Sequence, residues 1–119
     1  MTRTIMAAVA AILLSGPAQS DSPDHIRAKL LATPSWAYEV AHEVAQQKFV
    51  NTGKVRFAEK DGKLIGHIDE GWKCDNEVTL RANGFDMKNC AENDLQFVLS
   101  GDKFVATNGS YTNTIRPAP

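Results

Sequence analysis

The chain has 119 residues, 13 Lys and Arg against 14 Asp and Glu, and two cysteines. Its charges are interspersed and nearly balanced, which excludes the basic stripe that nucleic-acid binding requires. The length suffices for one domain around one modest core.

The first 20 residues read as an export signal and not as part of the fold. Arg3 precedes an apolar run over residues 5–14, and Gly16-Pro17 and the small-residue site Ala18-Gln19-Ser20 follow. A basic start, a short apolar stretch and a small-x-small end mark a secretory signal peptide. The run is well short of the roughly 20 residues that a membrane span needs. Cleavage is expected after Ser20, with Ala18 the competing site. Residues 21–119 then form a single globular β-rich domain, periplasmic or extracellular. Without Arg3 it carries 12 basic and 14 acidic residues, and no later stretch could span a membrane. In an oxidising compartment its two cysteines predict one disulfide, Cys74–Cys90.

In chain order, Ser22-Pro23-Asp24 predicts a helix start, with a capping hydroxyl, proline at the first helical position and an acid in the first turn. Ile26, Leu30 and Leu31 fall on one face, and Thr33-Pro34 ends the helix. The stretch SWAYEVAHEVAQQKFV, residues 35–50, reads two ways. With helical period, Trp36, Ala37, Val40, Ala41, Val44 and Ala45 form an apolar stripe. With period two, Trp36, Tyr38, Val40 and Val44 share a face that His42 interrupts. Good helix formers and the lack of a turn residue favour the helix.

From Lys54 the period changes to two, with hairpin turns expected at Asp61-Gly62, Asn83-Gly84 and around Gly101-Asp102. The first turn opposes Phe57 with Gly66 and Val55 with Ile68 on a core face. It sets Lys54 against Asp69, Arg56 against His67 and Ala58 against Ile65 on the other. A last threonine-rich run, residues 111–116, closes at Pro117. The predicted fold is α+β, mainly β: an antiparallel meander of six to seven strands covered by one or two N-terminal helices. The alternative makes residues 36–46 a strand and closes the sheet as an eight-stranded up-and-down barrel.

The disulfide does not fit a regular hairpin. A turn at Asn83-Gly84 sets Leu80 opposite Met87, and Cys90 then faces Glu77, about 10 Å along the strand from Cys74. A bridge needs Cα atoms within about 7 Å. The expected solution is a strand that begins only near Asn76, with residues 70–74 bent over the hairpin base, or else a bulge. Either one pins a loop carrying Trp72 to the end of the sheet, and the ring contributes roughly 3 kcal/mol.

Candidate chemistry is sparse. His42-Glu43 begins like a zinc-protease helix, but Gln46 stands where the second histidine belongs. His67, Asp69 and Glu70 lack further partners for a metal, and His25 is expected at the surface. Ser100 and Ser110 sit in turns with no positioned base, and both cysteines are committed to the bridge. No catalytic residue, metal or cofactor is therefore expected, and the protein is read as a non-enzyme. Trp72, on a tethered loop, is a candidate recognition anchor, with Lys73 and Asn83 as candidate neighbours.

In outline, an exported helix-plus-meander of this size with one disulfide resembles the small periplasmic β-barrel inhibitors of lysozymes and metalloproteases, and lipocalin-like barrels. None of their residue motifs occurs here, so the resemblance implies a fold and carries over no site. The expected function is an exported binding protein with a protein partner, such as an enzyme inhibitor or envelope interaction module. The alternative is a carrier of small apolar ligands in a cavity lined by Phe57, Leu80, Phe97 and Phe104.

Overall fold

A computed structural model of the protein describes residues 20–119, so the expected leader lies outside the described residues apart from Ser20. Helix α1 (Pro23–Ala32) starts as its sequence dictates, with the Ser22 hydroxyl accepting a hydrogen bond from the His25 N–H at 3.2 Å. Thr33, extended before Pro34, ends it. Ile26 and Leu30, four residues apart on one line of the helix, are fully buried. Leu31, expected on the same face, is 36% exposed. One residue step turns it roughly 100° away from Leu30.

Residues 35–50 are not a second helix. They form strand β1 (Trp36–Val44) and the start of β2 (Gln47–Lys60), paired from Trp36 opposite Val55 to Val44 opposite Gln47. The turn between them is Ala45-Gln46, with φ of 52° and 65°. Left-handed backbone at such residues costs roughly 1–2 kcal/mol each. The long ladder and the burial of Trp36 and Tyr38 offset that cost. Local helix propensity lost to cross-strand pairing and core burial.

The remaining strands are β3 (Lys63–Asp69), β4 (Lys73–Glu77), β5 (Thr79–Arg81), β6 (Gly84–Lys88), β7 (Asp94–Ser100), β8 (Lys103–Asn108) and β9 (Tyr111–Pro117). The β2–β3 hairpin has the expected register, with Phe57 opposite Gly66, Val55 opposite Ile68 and Lys54 opposite Asp69. The β7–β8 turn is Gly101-Asp102, since Ser100 pairs with Lys103. All pairings are antiparallel, in the order β4-β3-β2-β1-β9-β8-β7-β6-β5. The first and last members of that order are joined through one residue, Val78, so the sheet curls round and nearly closes. Nine strands replace the six or seven of the meander. The barrel alternative fits, with β4 and β5 as two halves of a strand that changes partners at Val78.

The disulfide is present, with Cys74 and Cys90 Cα atoms 5.5 Å apart. It is reached by a route the sequence did not suggest. The turn is Ala82-Asn83, not Asn83-Gly84, because Arg81 pairs with Gly84 and Leu80 with Phe85. Asn83 takes the left-handed φ of 63°. Gly84 enters the strand because a Cβ there would fall 2.0 Å from the Phe97 carbonyl oxygen. In this register Cys90 lies one residue out of step with Cys74. Strand β4 begins at Lys73, pairing with Asp69, and not near Asn76. Beyond Val78 the two sides of the barrel part, and the Asn76 amide spans the gap to the Lys88 carbonyl at 2.9 Å.

Consecutive antiparallel strands put their turns alternately at the two ends of the barrel. At one end lie Asp61-Gly62, Ala82-Asn83 and Gly101-Asp102, together with α1. There the Asn83 N–H donates to the Asp21 carbonyl at 2.8 Å, and the Trp36 indole donates to the Leu30 carbonyl at 3.3 Å. At the other end lie Ala45-Gln46, the bend at residues 70–72, the loop at residues 89–93 and Gly109-Ser110.

Candidate functional site

The inward-facing residues of each strand change character along the barrel. On β1 they run Trp36, Tyr38, Val40, His42; on β9, from the same end, Ile115, Asn113, Tyr111. On β8 they run Phe104, Ala106, Asn108, and on β2 Phe57, Val55, Gly53, Asn51, Phe49. The half beneath α1 is filled by rings around Phe85. It stacks on Phe97 at 4.9 Å and meets Phe104 and Phe57 edge-on at 5.2 and 5.6 Å. The other half is lined by amides, and it is open.

The open half holds a cavity of about 420 Å³ whose lining includes Tyr38, Asn51, Glu70, Trp72, Tyr111 and Asn113. The Tyr38 hydroxyl donates to Asn113 Oδ1 at 2.8 Å, and the Asn113 amide donates to the Ala106 carbonyl at 3.4 Å. Both side chains are buried, and this chain of bonds fixes the inner wall. Burial, with the Glu70 carboxylate second, pushes the Tyr38 hydroxyl above the ordinary phenol range, so it stays a donor. The β3–β4 bend reaches over the opening because Gly53 has no side chain. A Cβ there would fall 2.4 Å from the Asp69 carbonyl oxygen and 2.8 Å from Glu70 Cα.

Glu70 is only half-buried as a residue, yet its Oε2 is shut off from solvent and meets no donor. Burial raises its pKa above the ordinary carboxylate value. Beside it, Trp72 is 64% exposed at the mouth. The Trp72 carbonyl oxygen lies 4.0 Å from Cys90 Sγ, so the disulfide underlies this bend. Tyr111 stacks on His42 at 4.0 Å, and Phe49, opposite His42, stands 54% exposed on the projecting β1–β2 hairpin.

The sequence-predicted binding residues do not share one surface. Trp72 lines the cavity. Lys73 alternates outward onto the barrel wall, opposite Asp69. Asn83 lies at the far end and is occupied by Asp21, whose N–H donates to Asn83 Oδ1 at 2.7 Å. The acids and histidine once considered as metal ligands also part company. His67 is outside, 2.7 Å from Asp75, whereas Glu70 lines the cavity. Among the described residues no group of three His, Cys, Asp or Glu could hold a metal ion. The sequence reading missed Tyr38, Asn51, Asn113 and Tyr111. Their one signal was the period-two set Trp36, Tyr38, Val40, which helix propensity outweighed.

Comparison of the chain with protein-family models, with curated proteins and with solved structures gives no match. The open end of the barrel is therefore read from its own chemistry.

Proposed function

We propose that this is an exported, non-catalytic binding protein that recognises its partner, an enzyme or an envelope protein, at the open end of the barrel. The observation that carries this reading is the cavity with Trp72 at its mouth, held on a bend braced by Gly53 and the disulfide. A large rigid ring presented on a fixed support loses little entropy on binding, which makes it a good anchor. The disulfide and the signal-like residues 1–20 support export, to the periplasm or beyond. Among the described residues no helix is long and apolar enough to cross a membrane. The apolar-carrier alternative draws less support, since Phe57, Phe97 and Phe104 pack around Phe85 and fill the half of the barrel that ligand would need.

The test compares wild type with Trp72→Ala, both immobilised and both checked for the same melting temperature, against envelope extract. A partner retained by the wild type and lost from Trp72→Ala is the expected result. Equal retention by the two folded proteins, or none by either, overturns the reading.

A further inference from the structure

The cavity contains a negative charge with no counter-charge. Two buried carboxylate oxygens lack a hydrogen-bond partner among the described residues, Asp86 Oδ1 and Glu70 Oε2. Asp86 is compensated all the same, because its other oxygen pairs with Arg81. None of the ion pairs among the described residues involves Glu70, and no Lys, Arg or His lines the cavity. The Tyr38 hydroxyl, which lines the same cavity, is committed to Asn113.

Oε2 is itself shut off from solvent, so each class of guest is judged against the uncompensated charge of the Glu70 carboxylate that lines the cavity. An anion would meet like charge. A neutral hydroxyl would leave the charge uncompensated. A quaternary ammonium would supply the charge and no N–H donor. A metal ion would need a ligand cluster that the described residues do not form. A primary ammonium supplies both charge and donors. Trp72 and Tyr111 line the same cavity and are partly exposed, and aromatic rings attract a cation through their quadrupoles. The asparagine amides around it offer carbonyl oxygens to the remaining N–H groups.

We propose that the cavity takes a primary alkylammonium group, with Glu70 as its counter-ion and the rings of Trp72 and Tyr111 as its walls. The inference rests on the open end being the recognition site and names the chemistry recognised there. Such a group comes from a free alkylamine or from a lysine side chain of a protein partner.

The experiment titrates the full chain with 1-pentylamine, Nα-acetyl-lysine methylamide, 1-pentanol and pentanoate at neutral pH, reading Trp indole and backbone amide NMR shifts. The expected result is saturable shifts around Trp72 and Glu70 with both amines, binding at least tenfold weaker with the alcohol, and none with pentanoate. Tighter binding of the lysine derivative than of pentylamine assigns the group to a protein partner, and the reverse assigns it to a free amine. Glu70→Gln, with an unchanged spectrum elsewhere, is expected to weaken amine binding at least tenfold. Equal binding of amine and alcohol, no binding of either amine, or amine binding unaffected by Glu70→Gln overturns the proposal. Those outcomes leave the recognition reading standing if partner retention still depends on Trp72, and that reading fails separately if retention does not.

Discussion

The two halves of the barrel are built on the same strands and solve opposite problems. Beneath α1 the inward positions are Trp36, Phe57, Phe85, Phe97 and Phe104, packed ring to ring and sealed by Ile26 and Leu30. Further along the barrel the inward positions are Tyr38 and Asn51, on the strands of Trp36 and Phe57, and Asn113 on β9, around a cavity. The packed core and the open cavity are thus separated along the barrel axis. One half contributes buried apolar area, at roughly 25 cal/mol per Å², while the other gives up packing to keep polar groups and an opening.

That contrast can be broken most directly by truncation. Phe85→Ala, in the sealed half, should cost about 3–5 kcal/mol in chemical denaturation, whereas Trp72→Ala at the mouth should stay within about 0.5 kcal/mol. A comparable loss from both would mean that the open end is part of the core. Next in size is the disulfide. Replacing both Cys74 and Cys90 with serine should cost about 3 kcal/mol. Hydrogen exchange should then rise first in β4 and around residues 89–93, and only later at Phe85. A uniform rise through the whole sheet would contradict the separation of the two halves.

A gain is expected from the projecting hairpin. Ala45→Asn with Gln46→Gly puts turn-forming residues at two left-handed positions and should stabilise by about 1 kcal/mol. No gain in melting temperature would mean that the turn is not the strained element. The smallest effect is the pH dependence of Glu70. Burial raises its folded pKa, so the folded state holds the proton more tightly than the unfolded chain does. The Glu70 contribution to stability is present at low pH and is lost as pH rises from the ordinary carboxylate value through the raised one. Glu70→Gln should therefore be slightly more stable than wild type at pH 7, with the difference vanishing in acid. A difference that persists unchanged at low pH would assign it to some other cause.

Much of the sealed half was legible in the sequence. Ser22-Pro23-Asp24 placed α1, and Asp61-Gly62 set every pair of the β2–β3 hairpin, because those signals act locally. The open half was not legible. Its principal hairpin turns on Ala45-Gln46, which carries no turn chemistry and lies in a stretch of good helix formers. Asn83-Gly84 misled for a related reason. Gly84 is required by close packing against Phe97, a long-range contact that imitates a turn signal. Trp72, which lines the cavity, stood out in the sequence because it follows Gly71 in the loop that the disulfide tethers. Tyr38, Asn113 and Glu70 converge only after nine strands have closed, and no spacing along the chain announces it.

The change of partner at Val78 has a consequence for how this molecule behaves among copies of itself. An open sheet ends in two rows of unpaired amides, each able to template a neighbouring chain. Here the terminal strands are five and three residues long and follow one another in the chain, separated by Val78. The Asn76 amide and the disulfide tie β4 across the seam to Lys88 at the end of β6 and to Cys90 just beyond it. Little backbone is left along the seam for an intruding strand, which suits a protein that must stay unaggregated after folding.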